Sequence, residues 1–453
     1  MITKILFLSA CFFAPFFSLK AQSLQSNDSY RYLLLARSDY NDTYNVEAGT
    51  LFWNKTPVIL DSGEVCIVLS AYRFEALQAI WCSLQAFIYA EINNARGNAQ
   101  ETAKETAQEN VFEEIYYVAQ ENEILTDIAL SADGKKLSFE KLNLDGFSLG
   151  IFSTSLIDFQ TSRRLQVQDV VFESGLKAAF VSEPTLSQGD LLSFRVKSIF
   201  LDTAVLQQKS DKSLRFVAVD SGIQQSSPYS YLFSPSVNSN GALAFKARYG
   251  KAGEWAESQP DRILYFPQET LSPELVAEDR DAQSGSMFES FRNGVVLNDR
   301  GDVVFVANMA TVNRACVVFV KWDEFLKKFQ KPKCLLLEGD LISGLVLTAM
   351  DTFAPVMNAA GNIALRVELN HEVSAIIAIE SLSGSAQVLI KEGDEVISDL
   401  GPSVITRSEG HSSAFSAGLA MNEKGDVAFV TQLYSLKAQK NIGMALIKAI
   451  PNN

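Results

Sequence analysis

The sequence has 453 residues, enough to bury a large core as two or three domains or as one repeat array. Its formal charge of −14 opposes binding to nucleic acid and to anionic membrane, and leaves solubility as the plain reason for the acid excess. Two histidines and five cysteines limit the ways a metal or a nucleophile could be assembled.

Met1 to Ala21 carries Lys4, an apolar stretch from Ile5 to Leu19, and Ala21 before Gln22. This reads as a secretory signal peptide, residues 1–21, because the apolar stretch is short for a spanning helix. Leu8-Ser-Ala-Cys11 mimics a lipoprotein box, so a lipid anchor is the alternative to ordinary cleavage near Ala21. Cleavage removes Lys4 and Lys20 and no acid, making the mature chain more negative. No later stretch is apolar for long enough to span a bilayer, so a periplasmic or secreted protein is expected, its repeat domain running over 22–453.

Four cysteines remain, in two close pairs on consecutive predicted strands. An oxidising compartment favours the bridges Cys66–Cys82 and Cys316–Cys334. Four buried thiols are the competing reading, since free Cys packs as a small hydrophobe. Residues 93–110 are polar, Ala-rich and poor in β-formers, and read as a solvated insertion with a short helix.

The rest of the chain repeats. Asn238-Ser-Asn-Gly241, Asn298-Asp-Arg-Gly301, Asn358-Ala-Ala-Gly361 and Asn422-Glu-Lys-Gly425 each precede an apolar run, at Asn-to-Asn spacings of 60, 60 and 64. Each reads as a tight corner between two strands, with Gly in the left-handed region and the Asn side chain closing the turn. After Gly301, Val303, Phe305 and Ala307 face one way and Val304 and Val306 the other, which predicts a strand covered on both sides.

Four short strands per repeat describe a propeller blade, with loops longer than usual. Glycines 63, 134, 175, 241, 301, 361 and 425 give an all-β propeller of about seven four-stranded blades, or six if the short step from Gly134 to Gly175 is discounted. The strand before each Asn alternates: Phe233-Ser-Pro235 matches Phe353-Ala-Pro355, and Phe291-Arg-Asn-Gly294 matches Phe415-Ser-Ala-Gly418. Duplication of a two-repeat unit explains that pattern. The last repeat lacks an outer strand, and Tyr32 to Asp39 resembles one, so the N-terminal strand is expected to complete the last blade. An open β-repeat array is the alternative.

The four full copies resemble the bacterial exported tandem-repeat family with the motif Asn-x-x-Gly-x-x-Ala-Phe. Asn238, Gly241, Ala244 and Phe245 match it in full, as do Asn422, Gly425, Ala428 and Phe429; Val304 replaces Ala and Leu365 replaces Phe in the other two. The resemblance implies an exported, propeller-like protein with no common activity. The C-terminal Ala449-Ile-Pro-Asn-Asn453 does not match the surface anchor frequent in such proteins, so surface attachment is not carried over.

Chemistry-bearing residues are sparse. His371 is expected between the second and third strands of its blade and His411 in a connection between blades, both on the face opposite the Asn-Gly corners; two unrelated loop histidines are the plainer reading. Gly189-Asp190, Gly339-Asp340 and Gly393-Asp394 read as turn residues rather than calcium ligands or catalytic carboxylates. No phosphate loop, zinc spacing, dinucleotide fingerprint or nucleophile elbow is present, so no cofactor is expected. The leading expectation is a monomeric, non-catalytic binder of a protein, peptide or glycan through the loop face or central funnel. A carboxylate-dependent hydrolase or lyase, or a structural envelope component, are the alternatives. Any site is expected in the variable loops on the face away from the Asn-Gly corners.

Overall fold

The computed structural model describes residues 29–452 apart from 40–41, 47–49, 52–54, 72–77, 84–112, 118–122, 132–133, 158–159, 174, 188–189, 254–259, 269, 271 and 408–411. The expected signal peptide and the 93–110 insertion lie outside the described residues. Those described contain no α-helix, only a short 3-10 turn at Val167–Asp169.

The chain is a seven-bladed β-propeller. Each blade is an antiparallel sheet of four main strands, innermost first in sequence order except that the seventh takes its outermost strand from the N-terminus. The fifth blade shows the plan: Phe288–Leu297 inside, then Val303–Met309, Ala315–Val320 and Lys333–Leu337 outside. In several blades the inner strand is split, as in the fourth, where Tyr229–Leu232 and Ser236–Val237 both pair with Leu243–Tyr249. Seven clusters of buried apolar side chains lie one at each blade-to-blade junction. The two-faced strand expectation is met there. Val303, Phe305 and Ala307 pack with Ile263 and Tyr265 of the fourth blade, whereas Val304 and Val306 pack with Ile363 and Leu365 of the sixth. A junction between the last and first blades, where Val430 and Leu446 meet Ile67 and Trp81, makes the ring closed rather than an open array.

Closure is completed by the N-terminal strand, Tyr30–Ser38, which pairs antiparallel with Lys440–Pro451. Arg37 locks it. Its Nε and Nη2 donate to the two carboxylate oxygens of Asp399 at 2.8 and 2.7 Å, and its Nη1 donates to the Ile442 carbonyl at 2.8 Å. The guanidinium is fully buried and Asp399 nearly so, and the bidentate pair ties the N-terminal strand to the seventh blade.

The Asn-Gly corners join the first and second strands of their blades, with φ of 82, 84, 85 and 84° at Gly241, Gly301, Gly361 and Gly425. The Asn does more than close its own turn. Its Oδ1 accepts from the N–H four residues on (Ala242, Asp302, Asn362 and Asp426, at 2.9–3.0 Å). Its Nδ2 donates to a carbonyl of the next blade's corner. Asn238 reaches Asn298 O at 3.4 Å, Asn298 reaches Asn358 O at 3.2 Å, Asn358 reaches Glu423 O at 3.3 Å and Asn422 reaches Leu60 O at 3.0 Å. Only an amide both accepts and donates at this reach, which is why the repeat specifies Asn and not Asp or Ser.

One assignment is corrected. Gly175 is not the third blade's corner; it closes a turn in the connection before that blade, beside a Val171–Lys177 bridge. The corner runs from Ser187 to Leu191, between Ala178–Leu186 and Leu192–Ser198, with Asp190 at φ 66° where the other copies have Gly. Asp tolerates that region better than most residues, and Asp190 also pairs with Arg164 and Lys136 of the second blade. Ser187 is too short to reach across, and Gln207 Nε2 instead donates to Gly241 O at 2.8 Å.

The alternation between repeats also has a physical cause. Blades four and six carry a buried cation eight residues after the Asn, Lys246 and Arg366, where blades five and seven have Val306 and Val430. Each cation lies over the Phe of its own Phe-x-Pro segment, 3.8 Å from Phe233 and 4.6 Å from Phe353. Each then crosses to the next blade's inner strand: Lys246 Nζ donates to Phe291 O and Asn293 Oδ1, and Arg366 donates to Ala417 O. A Cβ on Gly294 would lie 2.6 Å from Ala354 Cβ, so the glycine lets neighbouring inner strands approach.

Both disulfides are formed. Cys66 and Cys82 are directly opposed on the second and third strands of the first blade; Cys316 and Cys334 join the third and fourth strands of the fifth.

Candidate cleft between the third and fourth blades

The histidines do not come together. His371 is exposed in the turn between the second and third strands of the sixth blade, as expected, at φ 68° with its N–H donated to Thr348 Oγ1. His411 lies outside the described residues. The segment holding it joins Gly401–Thr406 to Phe415–Met421, two strands of the seventh blade, rather than two blades. Asp340 Oδ2 accepts from Leu337 N and Asp394 Oδ2 from Lys391 N, at 2.8 and 2.9 Å, both as turn residues. Gly189 lies outside the described residues. Among the described residues, no group of three or more His, Cys, Asp and Glu is placed to hold a metal, and no helix is long and apolar enough to cross a membrane.

On the Asn-Gly face, Ser239 N donates to Asp299, Ala359 N to Glu423, and Glu423 N to Asp61, so three carboxylates bind the N–H groups of adjacent corners. Burial chiefly, with the charges of Asp299 and Asp61, pushes the Glu423 carboxyl above its ordinary range, against the pull of the Ala359 N–H.

A second repeated device was missed in the sequence. An acid just after the outer strand turns back to accept an N–H from the first or second residue of the third strand. Asp220 takes it from Thr203, Asp279 from Asp261, Glu338 from Ala315 and Glu392 from Ser374. Spacings of 59, 59 and 54 residues carry the signal, but acids in polar turns have too many other reasons to be there.

The Asp220 copy shapes the wall of a cleft of about 360 Å³. The cleft runs between Phe216–Val219, on the outer strand Leu214–Val219 of the third blade, and the connection to the fourth. Val217, Val219, Ile223 and Phe266 supply its apolar wall, and Glu173, Gln224 and Ser226 its polar groups. Asp220 Oδ1 accepts from Gly222 N and Ile223 N, at 3.1 and 3.2 Å, and so holds Ile223 in the wall. Burial pushes this carboxyl up to about 6, with the Thr203 and Ile223 donors pulling the other way. Ser227 Oγ donates to Val219 O, and the Tyr229 ring packs edge-on against Tyr249, centroids 5.2 Å apart. Leu214–Val219 ends its sheet, so its outer edge borders the cleft without a further strand among the described residues.

The fold therefore defines a closed propeller with a side cleft between two blades. Within that class, the chain belongs to the family of unknown function DUF7453, which matches residues 197–434. No curated protein matches. Similar solved structures include an oligogalacturonate lyase from Vibrio parahaemolyticus, at 10% identity and TM-score 0.40, covering 71% of this chain and 88% of that one. TolB from Acinetobacter baumannii has 10% identity and TM-score 0.32, covering 87% and 78%. Prolyl oligopeptidase B from Galerina marginata has 10% identity and TM-score 0.48, covering 85% and 49%. At these identities the likeness concerns fold alone.

Proposed function

We propose that the protein is an exported, non-catalytic binding protein that takes an extended peptide, with an apolar side chain, in the cleft between the third and fourth blades. The observation that carries this reading is the open strand edge at Leu214–Val219 beside an apolar floor. A strand edge offers backbone donors and acceptors to an extended peptide, and the floor offers a place for one of its side chains. Two cross-strand disulfides support an oxidising compartment and hence export. The four Asn-x-x-Gly corners support membership of the exported tandem-repeat family as a further part of the proposal.

A peptide array probed with the purified chain tests it, with Ile223→Arg as the comparison. Retained peptides should share an apolar residue, and Ile223→Arg should weaken them about tenfold or more by putting a charge into the floor. Equal retention by the variant, or retention of glycans but no peptides, refutes the proposal.

A further inference from the structure

A second surface lies on the Asn-Gly face, independent of the cleft. Between the third and fourth strands of the fifth blade, Trp322–Asp323 pairs with Lys328–Phe329 as a small hairpin. Its base is fixed: Trp322 packs on Phe329 and on Tyr265 of the fourth blade, at centroid distances of 4.8 and 5.1 Å, and Trp322 N donates to Asp302 Oδ1 at 2.9 Å. The Cys316–Cys334 bridge ties the strands on either side. Asp323 Oδ1 accepts from Phe325 N and Leu326 N, and this turn leaves Phe325 93% and Leu326 53% exposed. Leu382, 69% exposed, lies on the matching turn of the sixth blade, its carbonyl accepting from Lys333 Nζ at the start of the fifth blade's outer strand at 3.1 Å.

The charge around this tip opposes that of the whole chain. Lys321, Lys327, Lys328, Lys331 and Lys333 are exposed within thirteen residues, against Asp323 and Glu324 alone, on a chain with net charge −14. Glu324 is occupied by Lys327 and by Trp322 Nε1. Phe325 and Leu326 are adjacent, and with the five lysines they make an apolar tip ringed by positive charge.

We infer that this hairpin docks the propeller onto an anionic lipid surface, Phe325, Leu326 and Leu382 entering the headgroup boundary while the lysines lie at phosphate level. Apolar residues at the tip with a ring of lysines behind them match the pattern by which interfacial segments meet anionic lipid, apolar groups in the headgroup boundary and cations at phosphate level. Asp302 beneath the hairpin is buried, and acids more than about 10 Å from the tip are largely screened at ordinary salt, so the lysines set the local charge.

Flotation of the full chain with phosphatidylcholine vesicles, with and without phosphatidylglycerol, tests the inference. Binding should require phosphatidylglycerol and fall steeply with added salt on the unmodified chain. Each of Lys328→Ala and Lys331→Ala should weaken it about fivefold, and the double variant Phe325→Ser/Leu326→Ser about tenfold or more. All these positions are exposed, so melting should not change. Absence of flotation with phosphatidylglycerol overturns the inference. So does flotation unchanged by the Phe325/Leu326 variant, or lysine-dependent capture on immobilised poly-glutamate in place of vesicles, which would indicate an acidic protein partner.

Discussion

Asn298 and Asn358 stand sixty residues apart, and one hydrogen bond of 3.2 Å joins the side chain of the first to the carbonyl of the second. With its counterparts at Asn238, Asn358 and Asn422, it makes a run of clasps from the fourth blade round to the first. Replacing Asn298 with Asp keeps the acceptor that closes its own turn and sets an anion against the neighbouring carbonyl. The expected loss is about 1–3 kcal/mol, read as a lower denaturation midpoint with unchanged slope. An unchanged midpoint removes the clasp from the account of stability.

The closing strand offers a sharper test. Arg37→Met leaves Asp399 without its bidentate partner in a largely enclosed site, and should cost about 3–5 kcal/mol. A second change, Asp399→Leu, should recover part of that loss, because it removes the stranded charge. Additive losses in the double variant contradict an Arg37–Asp399 coupling.

Gly301 sits at φ 84°, and a Cβ there would lie 3.1 Å from the Trp322 ring. Gly301→Val should therefore lose about 1–3 kcal/mol through backbone strain alone and shift Trp322 fluorescence as well. Melting equal to the parent rejects the left-handed corner.

Asp220 gives a pH prediction whose sign follows from its environment. Its carboxyl titrates at about 6 in the folded chain, above its ordinary value of 3.8. The folded state therefore prefers the neutral form. The stabilisation it contributes is complete below the unfolded value and is lost as pH rises through 6. The stability difference between the parent and Asp220→Asn should change between pH 4 and 6 and be flat above about pH 7. A carboxyl resonance for Asp220 titrating near 4 contradicts this.

Much of the architecture was readable because corners and covered strands have local causes. Gly241, Gly301, Gly361 and Gly425 marked four corners, and apolar residues on both sides of Val303–Met309 implied neighbours on both faces. Tyr30–Ser38 was recognisable from its likeness to an outer strand. The third corner was not, because Asp190 occupies a backbone conformation that sequence reading assigns to glycine, and Gly175 nearby drew the assignment instead. Lys246 and Arg366 were hidden for a related reason. Their partners, Phe233 and Phe353, precede them by thirteen residues, and the carbonyls they reach belong to another blade. The cleft was invisible in principle, since its walls come from three separate segments around Glu173, Phe216–Tyr229 and Phe266.

The binding proposal is tested most directly by hydrogen exchange of the chain with and without a peptide retained from the array. Slower exchange confined to Leu214–Val219 and the connection through Tyr229 is the predicted result. Protection elsewhere, with residues 214–229 exchanging as in the free chain, would contradict a site between the third and fourth blades.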